Sequence, residues 1–198
     1  ERFPDVHVLS DEIYARMVYD GVPHATMLGY PELEDRLILL DGWSKTYAMT
    51  GWRLGWAVWP GHLVEHATRL AINIHSCVNA ATQWAGIEAL RGPQDRVLDM
   101  VQAFDRRRGV IVERLNRLPG FRCVRPGGAF YAFPNIAETG LGARELQDRL
   151  LDDVGVALVA GTSFGIHGEG YVRFSYAASV ADIEEASERI EMFLGRRA

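Results

Sequence analysis

The 198-residue sequence has few cysteines, no excess of positive charge and no long apolar run. Its two cysteines, Cys77 and Cys123, suggest no disulfide framework, so we expect reduced thiols in a cytoplasmic protein. A net charge of −5 gives no electrostatic reason to bind nucleic acid or a membrane surface. No apolar stretch approaches the roughly 20 residues of a membrane span, and no signal peptide is visible. We therefore expect a globular protein with neither nucleic acid nor membrane as partner.

Apolar periodicity predicts strands and helices in the first half of the sequence. Short apolar runs that are typical of buried strands cover residues 6–9, 37–40 and 54–59. Helical spacing follows over residues 63–74 and 80–90. Such strands fit an open α/β sheet, which collects ligand-binding groups at the carboxyl ends of its strands.

A long predicted helix over residues 97–118 separates this half from a different pattern. The helix carries Arg106-Arg107-Arg108, which we interpret as a solvated face. We place a domain boundary near residue 93, which gives domains 1–92 and 93–198. The elements predicted after the helix are a hairpin-like pair of strands over 121–124 and 129–133, a helix over 143–154, strands over 156–159 and 171–176, and a last helix that begins at Ser179 with Asp182 in its first turn.

The central motif of the sequence is the stretch of residues 44–55, which places Lys45 eight residues before Arg53 between two predicted strands. The apolar and aromatic side chains around Lys45 predict a desolvated amine with a lowered pKa; they are Trp43, Tyr47, Met49 and Trp52. Such an amine forms Schiff bases with carbonyl compounds, including pyridoxal 5′-phosphate (PLP). Arg53 then suits a phosphate group.

Two further residues complete the set that a PLP enzyme needs. Asp11 ends a predicted strand, and Tyr14 follows three residues later. By themselves they are most simply a cap and a core ring. Beside Lys45 and Arg53, they supply a carboxylate for the pyridine nitrogen and a donor for the ring oxygen.

Four motifs, in order along nearly the whole chain, resemble those of the PLP-dependent class I/II aminotransferases. They are Ser10-Asp11-Glu12-Ile13-Tyr14, the stretch from Gly42 to Gly55, Pro126-Gly127-Gly128-Ala129-Phe130-Tyr131, and Val172-Arg173-Phe174-Ser175-Tyr176. The resemblance implies an α/β fold, the fold type I of PLP-dependent transferases. Residues 1–92 would form the C-terminal part of the large mixed-sheet cofactor domain, and residues 93–198 the small α+β C-terminal domain.

The resemblance also implies a role for each residue of the cofactor site. Lys45 binds PLP and, once substrate displaces it, moves the catalytic proton. Asp11 pairs with the pyridinium nitrogen, and Tyr14 hydrogen-bonds the ring oxygen. Arg53 binds the phosphate together with Ser44 or with backbone amides near Gly42. The implied reaction is transamination between an amino acid and a 2-oxo acid, in a homodimer.

Arg173 is the residue that the resemblance assigns to the substrate α-carboxylate. The strand pattern agrees, because Val172, Phe174 and Tyr176 share one face and Arg173 points the other way. A lone strand arginine is more often a surface ion-pair member, but here the motif favours bidentate carboxylate binding.

The sequence lacks the family's upstream elements, which include a phosphate-binding loop and an aromatic ring stacked on the pyridine. It also begins at Glu1 without an initiator methionine, directly before the first predicted strand. We therefore expect the C-terminal half of an aminotransferase, inactive as an isolated chain.

The same motifs are compatible with other functions. Another fold-type I activity, such as a carbon–sulfur lyase or a decarboxylase, would use Lys45 and Asp11 in the same way. A PLP-binding effector domain of a transcription regulator and a non-catalytic remnant are further alternatives. His62 and His66 are four residues apart, but with no third ligand evident we assign no metal site.

Overall fold

The computed structural model describes residues 3–195, so the first two and last three residues of the predicted domains lie outside it. The chain forms two units, one ending at Asp99 and the other beginning at Met100. In the described range, no helix is both long and apolar enough to cross a bilayer.

The first unit is built on a three-stranded mixed sheet. Its strands are β1 (Val8–Asp11), β2 (Leu37–Gly42) and β3 (Gly55–Val58), in the order β1-β2-β3. β1 and β2 are parallel, whereas β2 and β3 are antiparallel. The unit's helices are α1 (Trp43–Thr46), α2 (Val64–His75) and α3 (Ala80–Arg91). The three predicted strands and both predicted longer helices are therefore present.

Apolar side chains of the first unit lie at its surface in unusual number. α2 has no buried residue, although it is amphipathic, and Leu70, Ile72 and Ile74 are exposed on it. Trp84 on α3 and Leu9 on β1 are exposed as well. Apolar surface of this extent is typical of an interface.

The second unit packs two helices and a long connecting helix around a small antiparallel sheet. Its elements are α4 (Asp95–Arg117, which begins in the first unit), β4 (Tyr131–Ala132), α5 (Ala143–Val154), β5 (Val159–Ala160), β6 (Val172–Ser175) and α6 (Val180–Gly195). The strand order is β4-β6-β5. The core is closed by side chains that include Leu115, Leu146, Leu150, Val172 and Ile190, all with under 2% exposure.

The start of α6 has the predicted cap. The Ser179 hydroxyl accepts a hydrogen bond from the Asp182 amide, and the Asp182 carboxylate accepts hydrogen bonds from the Ser179 amide and hydroxyl. This reciprocal arrangement satisfies amides that a helix start leaves without partners.

Two predictions for the second unit are wrong. The hairpin is absent, because β4 pairs with β6, and residue 122 makes only an isolated bridge to Asn135. Arg108 does not lie on a solvated face, since its side chain is fully buried. Its guanidinium binds Asp105 at 2.6 Å and donates to the Pro126 carbonyl at 2.8 Å, so the charge is paired inside the unit.

Candidate active site

One edge of the first unit's sheet collects the predicted cofactor residues. β1 and β2 are parallel, with Asp11 opposite Leu40, so their carboxyl ends lie at the same edge. β3 runs in the opposite direction and begins at this edge, with Gly55 opposite Gly42. The sheet topology therefore brings Asp11 and Tyr14 after β1, Ser44 and Lys45 after β2, and Arg53 before β3 to one place.

Asp11 and Tyr14 lie on the turn that leaves β1. The Asp11 carboxylate is exposed, and its Oδ1 accepts a hydrogen bond of 3.2 Å from the Ile13 amide. Tyr14 is half-buried, and its ring centroid lies 6.0 Å from Nζ of Lys45. The carboxylate is therefore available to a ligand, and the tyrosine ring lies beside the amine.

Lys45 and Ser44 are held by the short helix α1, which follows a tight passage at Gly42. A Cβ on Gly42 would lie 2.8 Å from the carbonyl oxygen of Leu54, so only glycine fits. Thr46, the last residue of α1, is buried and anchors it. Lys45 itself is half-buried, with its ammonium group facing the Tyr14 ring.

The aromatic residues predicted to surround Lys45 have other contacts in the structure. The Trp43 indole donates to the Gly86 carbonyl on α3 at 3.0 Å. The Tyr47 hydroxyl donates to the Gln94 side chain at 3.4 Å. Trp52 is half exposed, and Met49 is buried. The desolvation predicted from these neighbours is therefore only partial, since Lys45 keeps contact with solvent.

Arg53 projects from a left-handed turn with a φ of 55°. Its guanidinium is exposed and donates to the Thr50 carbonyl at 2.8 Å, which leaves other N–H groups directed to solvent. A cleft of about 670 Å³ lies beside it. The cleft is lined by Ala48, Gly51, Trp52, Arg53, His75, Cys77, Val78, Asn79 and Thr82.

Two further carboxylates at this edge were not assigned from the sequence. Glu12 is buried, and it accepts hydrogen bonds from the Met27 amide at 2.9 Å and the Ser10 hydroxyl at 3.1 Å, with His24 at 2.8 Å. Burial opposes the charged form of Glu12, but these hydrogen bonds outweigh it and lower its pKa. Glu12 therefore fixes the loop that carries His24 and Met27 to the end of β1.

Asp41 is the second of these carboxylates. Burial raises its pKa, and the negative charges of Glu12 and Asp11 add to the rise, against the hydrogen bond from the Gly42 amide. Glu12, Asp41 and Asp11 therefore lie close enough to interact, and their carboxylates favour a positively charged group nearby. The sequence signals for Glu12 were its position next to Asp11 and its place in the motif of residues 10–14.

Arg173 lies in the second unit, on β6. Val172 and Phe174 on this strand and Tyr176 just after it are buried, as the strand pattern predicts. Its guanidinium carbon lies 4.5 Å from the Tyr131 ring centroid and 4.6 Å from that of Phe164. Tyr131 belongs to one of the four motifs in the sequence, whereas Phe164 was not singled out from the sequence.

The residues of the first unit fit PLP by the chemistry of their donor set. An amine, a carboxylate, a phenol, a hydroxyl and a guanidinium converge on one sheet edge, with an open cleft beside the guanidinium. Lys45 is also the single lysine of the whole sequence, a signal that composition alone could have given. No cluster of three or more potential metal ligands occurs within residues 3–195.

Comparisons with known proteins relate the chain to aminotransferases. The sequence profile described as Aminotransferase class I and II matches residues 2–190. An aspartate aminotransferase of Pyrococcus horikoshii is 40% identical over 192 residues, which cover 96% of this chain and 49% of that protein. Aromatic-amino-acid aminotransferase 2 of Thermococcus litoralis is also 40% identical, with the same coverage of both chains.

Solved structures show the same relationship. An aromatic aminotransferase from Pyrococcus horikoshii superposes with a TM-score of 0.93 at 39% identity, over 98% of this chain and 52% of that one. The aspartate aminotransferase from Rhizobium meliloti gives 0.92 at 36% identity, over 98% of this chain and 51% of that one. The chain spans about half the length of the curated relatives it matches.

Proposed function

The chain belongs to the class I and II aminotransferase family, and we propose that it carries the lysine-bearing half of a PLP-dependent transamination site. The reaction would exchange an amino group between an amino acid and a 2-oxo acid. The observation that supports this proposal most is the convergence of Asp11, Tyr14, Ser44, Lys45 and Arg53 on one sheet edge. Residues 1–92 would belong to the cofactor domain and residues 93–198 to the small domain.

The five residues divide the work of holding the cofactor. PLP, when bound, supplies an electron-withdrawing ring that stabilises negative charge at the substrate Cα. Asp11 keeps the ring nitrogen protonated, and the neighbouring charges of Glu12 and Asp41 favour that positive charge. Tyr14 donates to the ring oxygen. Arg53, with the Ser44 hydroxyl, binds the phosphate as a charge-assisted donor.

Lys45 has two roles in this proposal. Its amine would hold the cofactor and, once released, would act as the base that takes the proton from the substrate Cα. The short helix α1 fixes the start of its side chain through buried Thr46, while the four-carbon stem lets the amine change position. One residue on one rigid turn therefore serves both binding and proton transfer.

Arg173 would bind the substrate α-carboxylate. A planar guanidinium offers two parallel N–H groups to a carboxylate, which fixes both position and direction of the substrate. All amino acids and 2-oxo acids carry this carboxylate, so Arg173 serves both half-reactions.

The remaining parts of the site would come from elsewhere in the assembly. The relatives are about twice as long as this chain, and the exposed apolar residues of α2, α3 and β1 offer a surface for further protein. We propose that an upstream half covers this surface and that the complete enzyme is a homodimer. The free thiols of Cys77 and Cys123 support a cytoplasmic location.

A comparison of transaminase activity tests the proposal. Two proteins are compared: the 198-residue chain by itself, and the protein expressed from the complete reading frame that contains it. Each is incubated with PLP, an amino acid and a 2-oxo acid. Turnover is expected only in the complete frame, with formation of the new amino acid and none of the ammonia that a lyase releases. Lys45→Ala should abolish it. Turnover that survives Lys45→Ala would refute the assignment of Lys45, and robust turnover by the chain alone would refute the half-site.

A further inference from the structure

The guanidinium of Arg173 lies between two aromatic rings. Tyr131 and Phe164 place their ring centroids 4.5 Å and 4.6 Å from its central carbon, well inside the range of a cation–π contact. Within residues 3–195, no carboxylate forms an ion pair with Arg173. The N–H groups of the Arg173 guanidinium are therefore not paired with a carboxylate of the described residues.

The backbone explains how Tyr131 reaches this position. β4 and β6 are antiparallel, with Tyr131 opposite Ser175. Arg173 lies two residues from Ser175 and thus occupies the diagonal position on the same face, a distance that long and aromatic side chains span. The opposite face of β6 is fixed in the core by Val172 and Phe174, so Arg173 cannot rotate into it.

Phe164 comes from the turn that follows β5, and this turn is tightly fixed. A Cβ on Gly161 would lie 2.2 Å from the Gly168 carbonyl oxygen, so the two backbone segments touch. The Gly161 amide also donates to the Tyr171 carbonyl at 2.8 Å. Phe133 meets the Phe164 ring edge-on at 6.0 Å. Phe164 nevertheless remains 53% exposed, so hydrophobic burial alone gives a poor reason for its position.

We infer that Tyr131 and Phe164 are positioning residues that hold the plane of the Arg173 guanidinium ready for a carboxylate. The inference rests on the proposed role of Arg173 in substrate binding and deepens it. An arginine loses much of its rotamer freedom when it binds a ligand. Two rings that restrict it beforehand remove part of that loss, which tightens binding without a direct contact to the ligand.

The position of Phe164 makes it the more informative residue to change. Phe164→Leu keeps an apolar side chain but removes the ring face, whereas Phe164→Tyr keeps the ring. Phe133→Leu is a matched control, because Phe133 is a similarly exposed ring of the same cluster that lies against Phe164 and Tyr171. None of these substitutions alters Arg173 or the cofactor residues.

The test is a titration of the 198-residue chain with acetate, followed by NMR on the arginine Nε–H signals, with Arg173→Lys used to assign the signal of Arg173. No PLP is present, so failure of the proposed transamination leaves the result unaffected. We expect an upfield Arg173 signal, from the ring currents, that responds to acetate. Phe164→Leu should reduce the upfield displacement, since only the Tyr131 ring then remains, and weaken acetate binding about tenfold.

Two control variants show whether the effect depends on the aromatic ring at position 164. Phe164→Tyr should restore both the displacement and the affinity, and Phe133→Leu should change acetate affinity less than twofold. Equal affinities in Phe164→Leu and the parent chain would overturn the inference. An Arg173 signal that neither lies upfield nor responds to acetate would overturn it as well.

Discussion

The carboxylates around the first unit's sheet edge differ in their chemistry although they share one small region. Glu12 is buried, receives several hydrogen bonds and has a lowered pKa. Asp41 has a raised pKa because of burial and the charges of Glu12 and Asp11. Asp11 is the exposed member and the one open to a ligand. Their arrangement stabilises one fixed negative charge in the interior and leaves another for the cofactor.

Glu12 predicts a specific pH dependence of stability. Because its pKa is lower in the folded chain than in the unfolded chain, its contribution is present above the unfolded value, about 4.3, and is lost as the pH falls through the folded value. Glu12→Gln should reduce the free energy of unfolding at pH 7 by about 2 kcal/mol, since hydrogen bonds to a charged acceptor are lost.

Urea unfolding of the parent chain and Glu12→Gln across pH 3 to 7 measures this effect. The difference between the two proteins should shrink as the acidic limit is approached, because Glu12 is then protonated in both states. A difference that grows towards acidic pH would contradict the role given to Glu12.

The two cysteines should differ sharply in reactivity. Cys77 is exposed in the cleft beside Arg53, whereas burial raises the pKa of the Cys123 thiol to about 11. Iodoacetamide at pH 8 should therefore alkylate one thiol quickly in the native chain, and Cys77→Ser should remove that reaction. Added PLP should slow the alkylation of Cys77. Equal rates at both cysteines, read by peptide mass spectrometry, would contradict this assignment.

At the scale of single elements, local patterns predict well and distant partners do not. The helix predicted over residues 143–154 matches α5, because its apolar spacing is a property of that segment alone. The hairpin failed because β4 pairs with β6 about 40 residues away along the chain, a partner that turn chemistry at Pro126-Gly127 does not specify.

The prediction that Arg108 lies on a solvated helix face was wrong for a related reason. A charged residue on a helix normally indicates a solvated face, and burial of its charge depends on groups supplied by the fold. Those groups are the Asp105 carboxylate and the Pro126 carbonyl, which α4 and the following loop bring together. The residues proposed for the cofactor lie together because their motifs occupy two short segments that end or begin at one sheet edge.

The helix α4 offers a matched test of this buried pair. Asp105→Ala removes the carboxylate bound to fully buried Arg108 and should lower the free energy of unfolding by about 3 kcal/mol. Asp99→Ala is the control, since Asp99 pairs with exposed Arg96 on the same helix at the same three-residue spacing. That change should stay within about 0.5 kcal/mol.

Urea midpoints at unchanged m-value give both numbers. Equal losses in Asp105→Ala and Asp99→Ala would mean that burial of Arg108 does not control its contribution. A loss confined to Asp105→Ala supports the view that α4 is tied to the Pro126 loop through this charge.

For the whole molecule, the sequence composition does not predict how much apolar surface is exposed. The sequence composition is that of an ordinary globular protein, and it gave no sign of how much apolar surface the first unit exposes. Helical periodicity predicted α2, but it could not predict that none of the helix is buried, because burial depends on what packs against the helix. The exposed surface and the half-length match to relatives support the same proposal of a site completed by further protein.

The central claim is that Lys45 is the cofactor lysine, and one mapping experiment tests it directly. The chain in its complete reading frame is incubated with PLP, reduced with borohydride, digested and analysed by peptide mass spectrometry. Within residues 1–198, Lys45 is the only side-chain amine available to be marked. We expect the pyridoxyl mass on the peptide that contains Lys45, at near-stoichiometric yield. A folded, active protein with Lys45 unmodified would contradict the account.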